Sequence, residues 1–377
     1  MDNLKDIFGY GISTEGEAPS YRNLMNKLRQ PGFRAEQLAQ WLWVHGVESY
    51  DDMANLPAVL RKQLDEVAPL QRVELQCVQQ SEDGTRKYLL RFADGVSVEA
   101  VGLPSIDTNK SRAKSLSADT DEGESESSAT TRLTVCVSSQ AGCAMACSFC
   151  ATGRGGFVRN LSPGEIAEQV RVVRADFEQR VSNIVVMGQG EPFHNYDAVL
   201  AALRIVNAPE SKGGMGIGAR HITLSTAGII DGIKRLADEP EQFTLAVSLH
   251  SAVQTTRDKM MPGICDQPLK KLSAALVEYF EKTGRRPSLE YTLVEGLNDS
   301  PFEAETLVAF AKKIRAHVNL IPLNSVQANS KLQASHHTEA LDFARVLLAE
   351  GVDVTLRKRR GADIDAACGQ LSQKQCG

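Results

Sequence analysis

Residues 133–150 read LTVCVSSQAGCAMACSFC: an apolar run over Leu133–Val137, a glycine at 142, then three cysteines within eight residues. Leu133, Val135 and Val137 suit a strand buried in a sheet. Further short apolar runs follow at Ile184–Met187, His221–Ser225, Thr244–Leu249, Ser288–Val294 and Val318–Leu323. Between them, apolar residues recur at helical spacing near 163–180, 196–207, 230–239, 269–283 and 302–315, with another helix near 338–350. This alternation predicts an α/β fold, a parallel sheet with right-handed crossovers. It leaves open a doubly wound sheet or a barrel, complete or partial. In each, chemistry gathers at the carboxyl ends of the strands, where Cys143, Cys147 and Cys150 fall.

Upstream, the pattern changes twice. Tyr21, Leu24 and Leu28, then Ala35, Leu38, Trp41 and Leu42, fall at helical spacing, so residues 1–69 form a helical unit. Residues 70–105 switch to period two: RVELQCVQQ, TRKYLLRFA and VSVEAVGLP, separated by Asp83-Gly84 and Asp94-Gly95, read as a β-meander. Residues 106–131 have no aromatic, six Ser, six Asp or Glu and three Lys or Arg, a composition that cannot offset its ordering entropy. This stretch is expected to be a disordered insertion, and 132–377 to be the α/β domain with a C-terminal cysteine segment.

The chain has 377 residues, 42 Lys or Arg against 47 Asp or Glu, and a net charge of −5. No apolar run is long enough to span a bilayer, and MDNLKDIFGYGIS lacks the apolar stretch of a secretory signal. The expectation is a cytoplasmic protein whose eight cysteines serve metal or thiol chemistry rather than a disulfide framework. The overall charge offers no field for nucleic acid, so any phosphate contact must be local. Arg22, Lys27, Arg29 and Arg34 give the helical unit a positive edge. Arg154, Arg159 and the run 357–360 are candidate phosphate contacts, though such a run is also an ordinary solvated face.

Three thiolates on one short loop can wrap one metal centre. A four-iron cluster held by three cysteines keeps one iron open for a small-molecule chelate. A structural zinc site completed by Cys136 or a distant His is the alternative. After the next strand comes Met187-Gly188-Gln189-Gly190-Glu191-Pro192, whose glycines allow close approach of a ligand and whose carboxylate suits an ammonium group. The same Glu could simply cap the following helix. Ser225, the Ser248-Leu249-His250 triplet and Asn324 end three later strands, as a barrel-mouth site requires. Singly, each is an ordinary strand-end cap. Cys368, in DIDAACG beside four basic residues, is either a small buried hydrophobe or an activated nucleophile.

The trio resembles the radical S-adenosylmethionine enzymes, and CVSSQAGCAMACSFCATGRGG at 136–156 with RGADIDAACGQL at 360–371 resembles the RlmN/Cfr family of RNA adenosine methyltransferases. The resemblance implies a partial (β/α)6 barrel, a [4Fe-4S] cluster on Cys143, Cys147 and Cys150, and S-adenosylmethionine held by Gly190, Glu191, Ser225, Ser248, Leu249, His250 and Asn324. It implies that Cys368 accepts a methyl group, that Cys136 later forms a transient disulfide with it, and that Glu99 accepts a proton. Without it, Glu99 reads as an exposed strand carboxylate. It further implies RNA as partner (23S rRNA and a tRNA anticodon loop), an electron donor such as flavodoxin or ferredoxin, and a monomer. Gln189 stands where the family more often has Met, and Phe193 where it has Leu. Pro192 favours methylation at adenine carbon 2 over carbon 8. His194, His221 and His317 are expected to be structural, and Cys77, Cys265 and Cys376 incidental.

Overall fold

The computed structural model describes residues 6–12, 20–106, 131–324, 332–357 and 359–371. The segment expected to be a disordered insertion lies, apart from its two end residues, outside them. Twelve strands are present among the described residues: β1 Glu74–Gln80, β2 Arg86–Arg91, β3 Ser97–Ile106, β4 Thr131–Cys136, β5 Gln140–Gly142, β6 Phe157–Asn160, β7 Val181–Val186, β8 Ile222–Thr226, β9 Thr244–Ser248, β10 Ser288–Leu293, β11 His317–Pro322 and β12 Val354–Leu356. Ten form one sheet, ordered β1-β2-β3-β4-β7-β8-β9-β10-β11-β12, and β5 pairs with β6 in a hairpin.

From β4 to β12 every neighbouring pair is parallel, joined by helices that cover one face. Each apolar run read from the sequence lies on one of these strands, its ends differing by at most three residues. Helices Pro163–Phe177 and Pro301–Ile314 begin at Ser162 and Ser300, whose hydroxyls accept from the amides of Glu165 and Glu303 and satisfy first-turn donors. The meander turns are built as their Asp-Gly pairs predict. Gly84 and Gly95 take positive φ, and each Asp carboxylate accepts the amide two residues on.

The meander does not stand apart. β3 pairs antiparallel with β4, from Val101 opposite Cys136 to Ile106 opposite Thr131, so the parallel sheet continues into the hairpins. An uncovered β4 would expose a row of unpaired backbone groups.

In the helical unit Tyr21, Leu24, Leu38 and Leu42 are buried as expected, but Trp43 rather than Trp41 enters the core. The helix widens to a π-turn over Gln40–His45, which rotates the buried face; Trp43 Nε1 then donates to Tyr21 Oη at 3.0 Å. The unit is tied to the barrel by Arg72, which donates to Leu42 O and Val47 O and pairs with buried Glu168 of helix Pro163–Phe177. No described helix is long and apolar enough to cross a membrane.

Candidate active site

The carboxyl ends of the parallel strands surround an open cavity, where parallel sheets place their ligand sites. The cysteine loop forms one side. Cys143 N donates to Gly156 O at 2.8 Å, Ser148 N to Met260 O at 2.9 Å, and Gly263 N to Met145 O at 3.0 Å. A side chain at Gly142 would drive its Cβ to 2.0 Å from Gly156 O, so only glycine permits this closure. Ala146 bends the loop through a left-handed conformation between the first two cysteines. Cys143, Cys147 and Cys150 all line the cavity. Burial raises the Cys143 thiol to about 11 and pushes Cys147 higher still, so thiolates here call for a cation.

Among the described residues no three Cys, His, Asp or Glu side chains are gathered to hold a single metal ion. The three thiols that share this wall are soft donors, the residue type that a sulfur-ligated metal centre takes.

Gly190, Glu191, Ser225, Ser248, His250 and Asn324 also line the cavity. Gly188 and Gly190 of the 187–192 stretch lie on the cavity wall, where a ligand can approach the backbone, and they also answer a packing need. A Cβ on Gly188 would sit 2.7 Å from Val137 O, and one on Gly190, at φ +103°, would sit 2.6 Å from Gln140 Cβ. The glycines therefore let two protein segments meet. Glu191 caps the turn after it: Oε1 accepts from Phe193 N at 3.0 Å and Oε2 from Ala227 N at 2.6 Å. Burial raises its pKa against these bonds.

Ser225 Oγ and Ser248 Oγ stand 3.4 Å apart. His250, at φ +56°, accepts from Thr292 N through Nδ1 at 3.0 Å, which fixes the proton of the neutral ring on Nε2. Burial pulls its pKa down to about 3, and Phe149 packs edge-on against the ring. Asn324 donates to Cys368 O at 3.1 Å, while its buried Oδ1 has no partner among the described residues. That orphan acceptor on the wall awaits a donor from a ligand. Leu249 differs: its side chain is fully buried in the main core and does not line the cavity.

Cys368 is exposed, but its surface is cavity wall. The segment bearing it is held at both ends. Gly361 N donates to the Asp83 carboxylate at 3.1 Å, and Ser81 Oγ donates to Asp363 at 2.6 Å. Ala151 N donates to Gly369 O, and Thr152 Oγ1 to Leu371 O, each at 2.7 Å. Cys136 lies beneath this segment in an apolar cluster with Val101, Ala366 and Leu371, and burial raises its thiol to about 12, with Cys368 adding to the rise.

The neighbouring cations do not activate Cys368 as expected. Arg359 and Arg360 donate instead to Leu323 O and Pro104 O, and Lys358 lies outside the described residues. Burial, with Glu290 adding to it, raises the thiol against the opposing charge of Arg357. Arg159, read as a phosphate contact, is clamped by Asp94 and Glu165 at 2.7 Å each.

Glu99 is only 1% exposed and pairs with Lys87 at 3.4 Å, correcting its reading as an exposed carboxylate. It shares a strand face with Val101, two residues on, and so with Cys136 beyond. Cys77, read as incidental, is disulfide-bonded. Among the cavity residues that the sequence reading does not single out, the ionisable one is Glu290, 6% exposed, which accepts from Asn319 and Ser288. Its signal was a carboxylate inside the apolar strand SLEYTLV.

Comparison with known proteins agrees with this geometry. Residues 137–305 match the family model of the radical SAM superfamily, and residues 18–70 that of the ribosomal RNA large subunit methyltransferase N-terminal domain. The chain is 42% identical over 367 residues to a "Probable dual-specificity RNA methyltransferase RlmN" of Symbiobacterium thermophilum, covering 97% of this chain and 91% of that one. It is 44% identical over 348 residues to the protein of the same name from Synechococcus elongatus, covering 91% and 88%. The crystal structure of a radical SAM methyltransferase from Sphaerobacter thermophilus superposes with a TM-score of 0.83 at 37% identity, covering 98% of this chain and 99% of that one.

Proposed function

Since the chain belongs to the RlmN family of radical S-adenosylmethionine RNA methyltransferases, we propose that it methylates carbon 2 of an adenosine in 23S rRNA and in a tRNA anticodon loop. The observation that carries this reading is the shared cavity: the cysteine trio, the orphan Oδ1 of Asn324 and the Cys368 thiol line the same walls. A methyltransferase relying on simple displacement needs no second thiol there. Adenine carbon 2 is electrophilic, so a methyl group must reach it as a carbon radical, and that radical needs a protein sulfur to carry it.

In this reading Cys143, Cys147 and Cys150 hold a [4Fe-4S] cluster, and Gly190, Glu191, Ser225, Ser248, His250 and Asn324 hold S-adenosylmethionine. Together these groups supply one-electron cleavage of the sulfonium, chemistry no side chain can perform. The chain's own residues do the rest. Cys368 takes the methyl group on Sγ and presents it to the base. His250 stays neutral and offers Nε2–H to the cavity, while Asn324 Oδ1 accepts from the cofactor. Glu99, on the strand face of Cys136, takes the proton lost from the ring. Cys136 closes a disulfide with Cys368 and frees the product. The electron comes from a flavodoxin- or ferredoxin-type donor, and the protein works as a cytoplasmic monomer.

The test is anaerobic reconstitution with iron and sulfide, then incubation with dithionite, S-adenosylmethionine and a 23S rRNA fragment carrying adenosine deuterated at carbon 2. Loss of label into 2-methyladenosine is expected, and C368A and C136A should each abolish it. Loss of label from a carbon 8-deuterated substrate instead would overturn the positional assignment. Full turnover by C368A would overturn the mechanism.

A further inference from the structure

Arg257 is fully buried, the largest buried side chain after Trp43. Arginine is almost never buried unless paired. Here no carboxylate lies within ion-pairing distance among the described residues. The guanidinium donates only to backbone carbonyls, Ala227 O at 2.6 Å and Gln267 O at 3.3 Å, and its Nε has no partner. Neighbouring Asp258 instead receives Gln254 Nε2 at 2.7 Å. The fold nonetheless makes room for this cation: a side chain at Gly228 would put Cβ 2.9 Å from its Nη2.

Its position says what would balance the charge. Arg257 lies on helix Gln254–Met260, whose end straps the cysteine loop through Met260 O and Ser148 N. Ala227, which accepts from the guanidinium, lines the cavity and packs in one apolar cluster with Cys143, Met145, Met260 and Met261. A thiolate at Cys147 would favour the charged form of Arg257, as Asp258 does.

We propose that Arg257 is the built-in counter-charge of the cysteine-bound cluster, a positioning residue that sets how readily the cluster accepts its electron. The inference rests on the cluster assignment above. A cubane held by three thiolates carries net negative charge and gains one more on reduction, with no proton taken up and no bond broken. A fixed cation behind the loop stabilises the reduced form more than the oxidised one, raising the potential. In cluster-free protein the same cation is uncompensated, which burdens the fold.

The experiment compares wild type, R257Q and R257K as full chains, cluster-free and reconstituted. The midpoint potential is read by dithionite titration followed by electron paramagnetic resonance, without S-adenosylmethionine. R257Q is expected to shift to a more negative potential, with R257K close to wild type. Cluster-free R257Q is expected to melt no lower than cluster-free wild type, whereas loading should raise the melting temperature of wild type more. A potential unmoved in R257Q, or moved equally in R257K, overturns the proposal. So does a cluster-free R257Q that fails to fold, because the guanidinium would then serve only to hold two carbonyls. Wild type that takes up no iron and sulfide sinks the cluster reading itself, a failure visible before any variant is made.

Discussion

Replacing Thr152 by valine removes one hydroxyl from the joint between the cysteine loop and the segment bearing Cys368. Valine nearly keeps the volume, but the Leu371 carbonyl, which receives the Thr152 hydroxyl at 2.7 Å in a buried place, loses its donor. An unsatisfied buried acceptor costs about 1–3 kcal/mol. The cost falls on the docked segment alone, since water serves the carbonyl once it lifts. At 1.4 kcal/mol per decade, docking weakens by about 5- to 140-fold. The Ala151 amide, which donates to Gly369 O at 2.7 Å, reports this directly because it exchanges when the segment leaves. Hydrogen exchange at Ala151 should accelerate by that factor, with core amides of β7 and β8 unchanged. Methylation should fall while the iron–sulfur chromophore stays intact. An Ala151 exchange rate within about twofold of wild type, outside the range that penalty allows, would refute the claim that this bond holds the segment.

Three further outcomes are expected. R72M strands buried Glu168 with Arg171 alone and frees two carbonyls of the helical unit, so urea unfolding should show a loss of about 3 kcal/mol; a loss below about 0.5 kcal/mol, the scale of an ordinary surface substitution, would dismiss the pair as the tie. His250, with its folded pKa near 3 against about 6.5 unfolded, is protonated only in the unfolded state between those values. Its share of the stability is complete above pH 6.5 and falls by about 1.4 kcal/mol per unit as pH drops below it. H250N keeps an acceptor for Thr292 N and tolerates the positive φ, so its stability should fall less steeply between pH 6.5 and 5 than wild type; parallel curves would contradict the assignment. Finally, Ile106 and Thr131 are already opposite one another at the end of the β3–β4 pair, so replacing 107–130 by an Asn-Gly turn should leave folding and methylation unchanged. A folded deletion protein that no longer methylates RNA would give the segment a function.

How much of this was legible beforehand follows from the range of the interactions. The strands and helices of the α/β domain were readable because period and capping are local: Ser162 and Ser300 stand immediately before their helices and cap an amide three residues on. The meander turns were readable for the same reason. Its union with β4 was not, since edge pairing depends on which strands meet across a long connection. Trp43 displaced Trp41 because a π-turn breaks the period used to choose between them. The three cysteines and Cys368 could be singled out from motif and resemblance. The state of each side chain could not. Glu99 is buried beside Lys87 of β2, Arg159 is taken by Asp94 from the meander, and Asn324 is orphaned by the geometry of a wall assembled from distant strands.

The open sheet explains why the C-terminal segment can bring Cys368 to the cavity. β1 and β12 are the two free edges, so the barrel does not close upon itself. A closed barrel would deny a polynucleotide lateral access to a base-sized pocket, whereas an open one leaves a side entrance that must still exclude water during radical chemistry. The chain leaves β12 and crosses that gap. Arg360 reaches Pro104 O of β3, Gly361 and Asp363 join the β1–β2 turn, and Ile364, Ala366 and Leu371 pack with Val101 of β3 and Cys136 of β4. The last two bonds then fasten the segment to the helix following the cysteine loop. One strap thus joins both edges of the sheet and carries Cys368 between them. Because its anchors are a few turn hydrogen bonds rather than strand pairing, it is the part of the wall that can lift without unfolding the sheet. The proposed role of Cys368, which would meet a cofactor, a nucleobase and Cys136 in succession, calls for such an element.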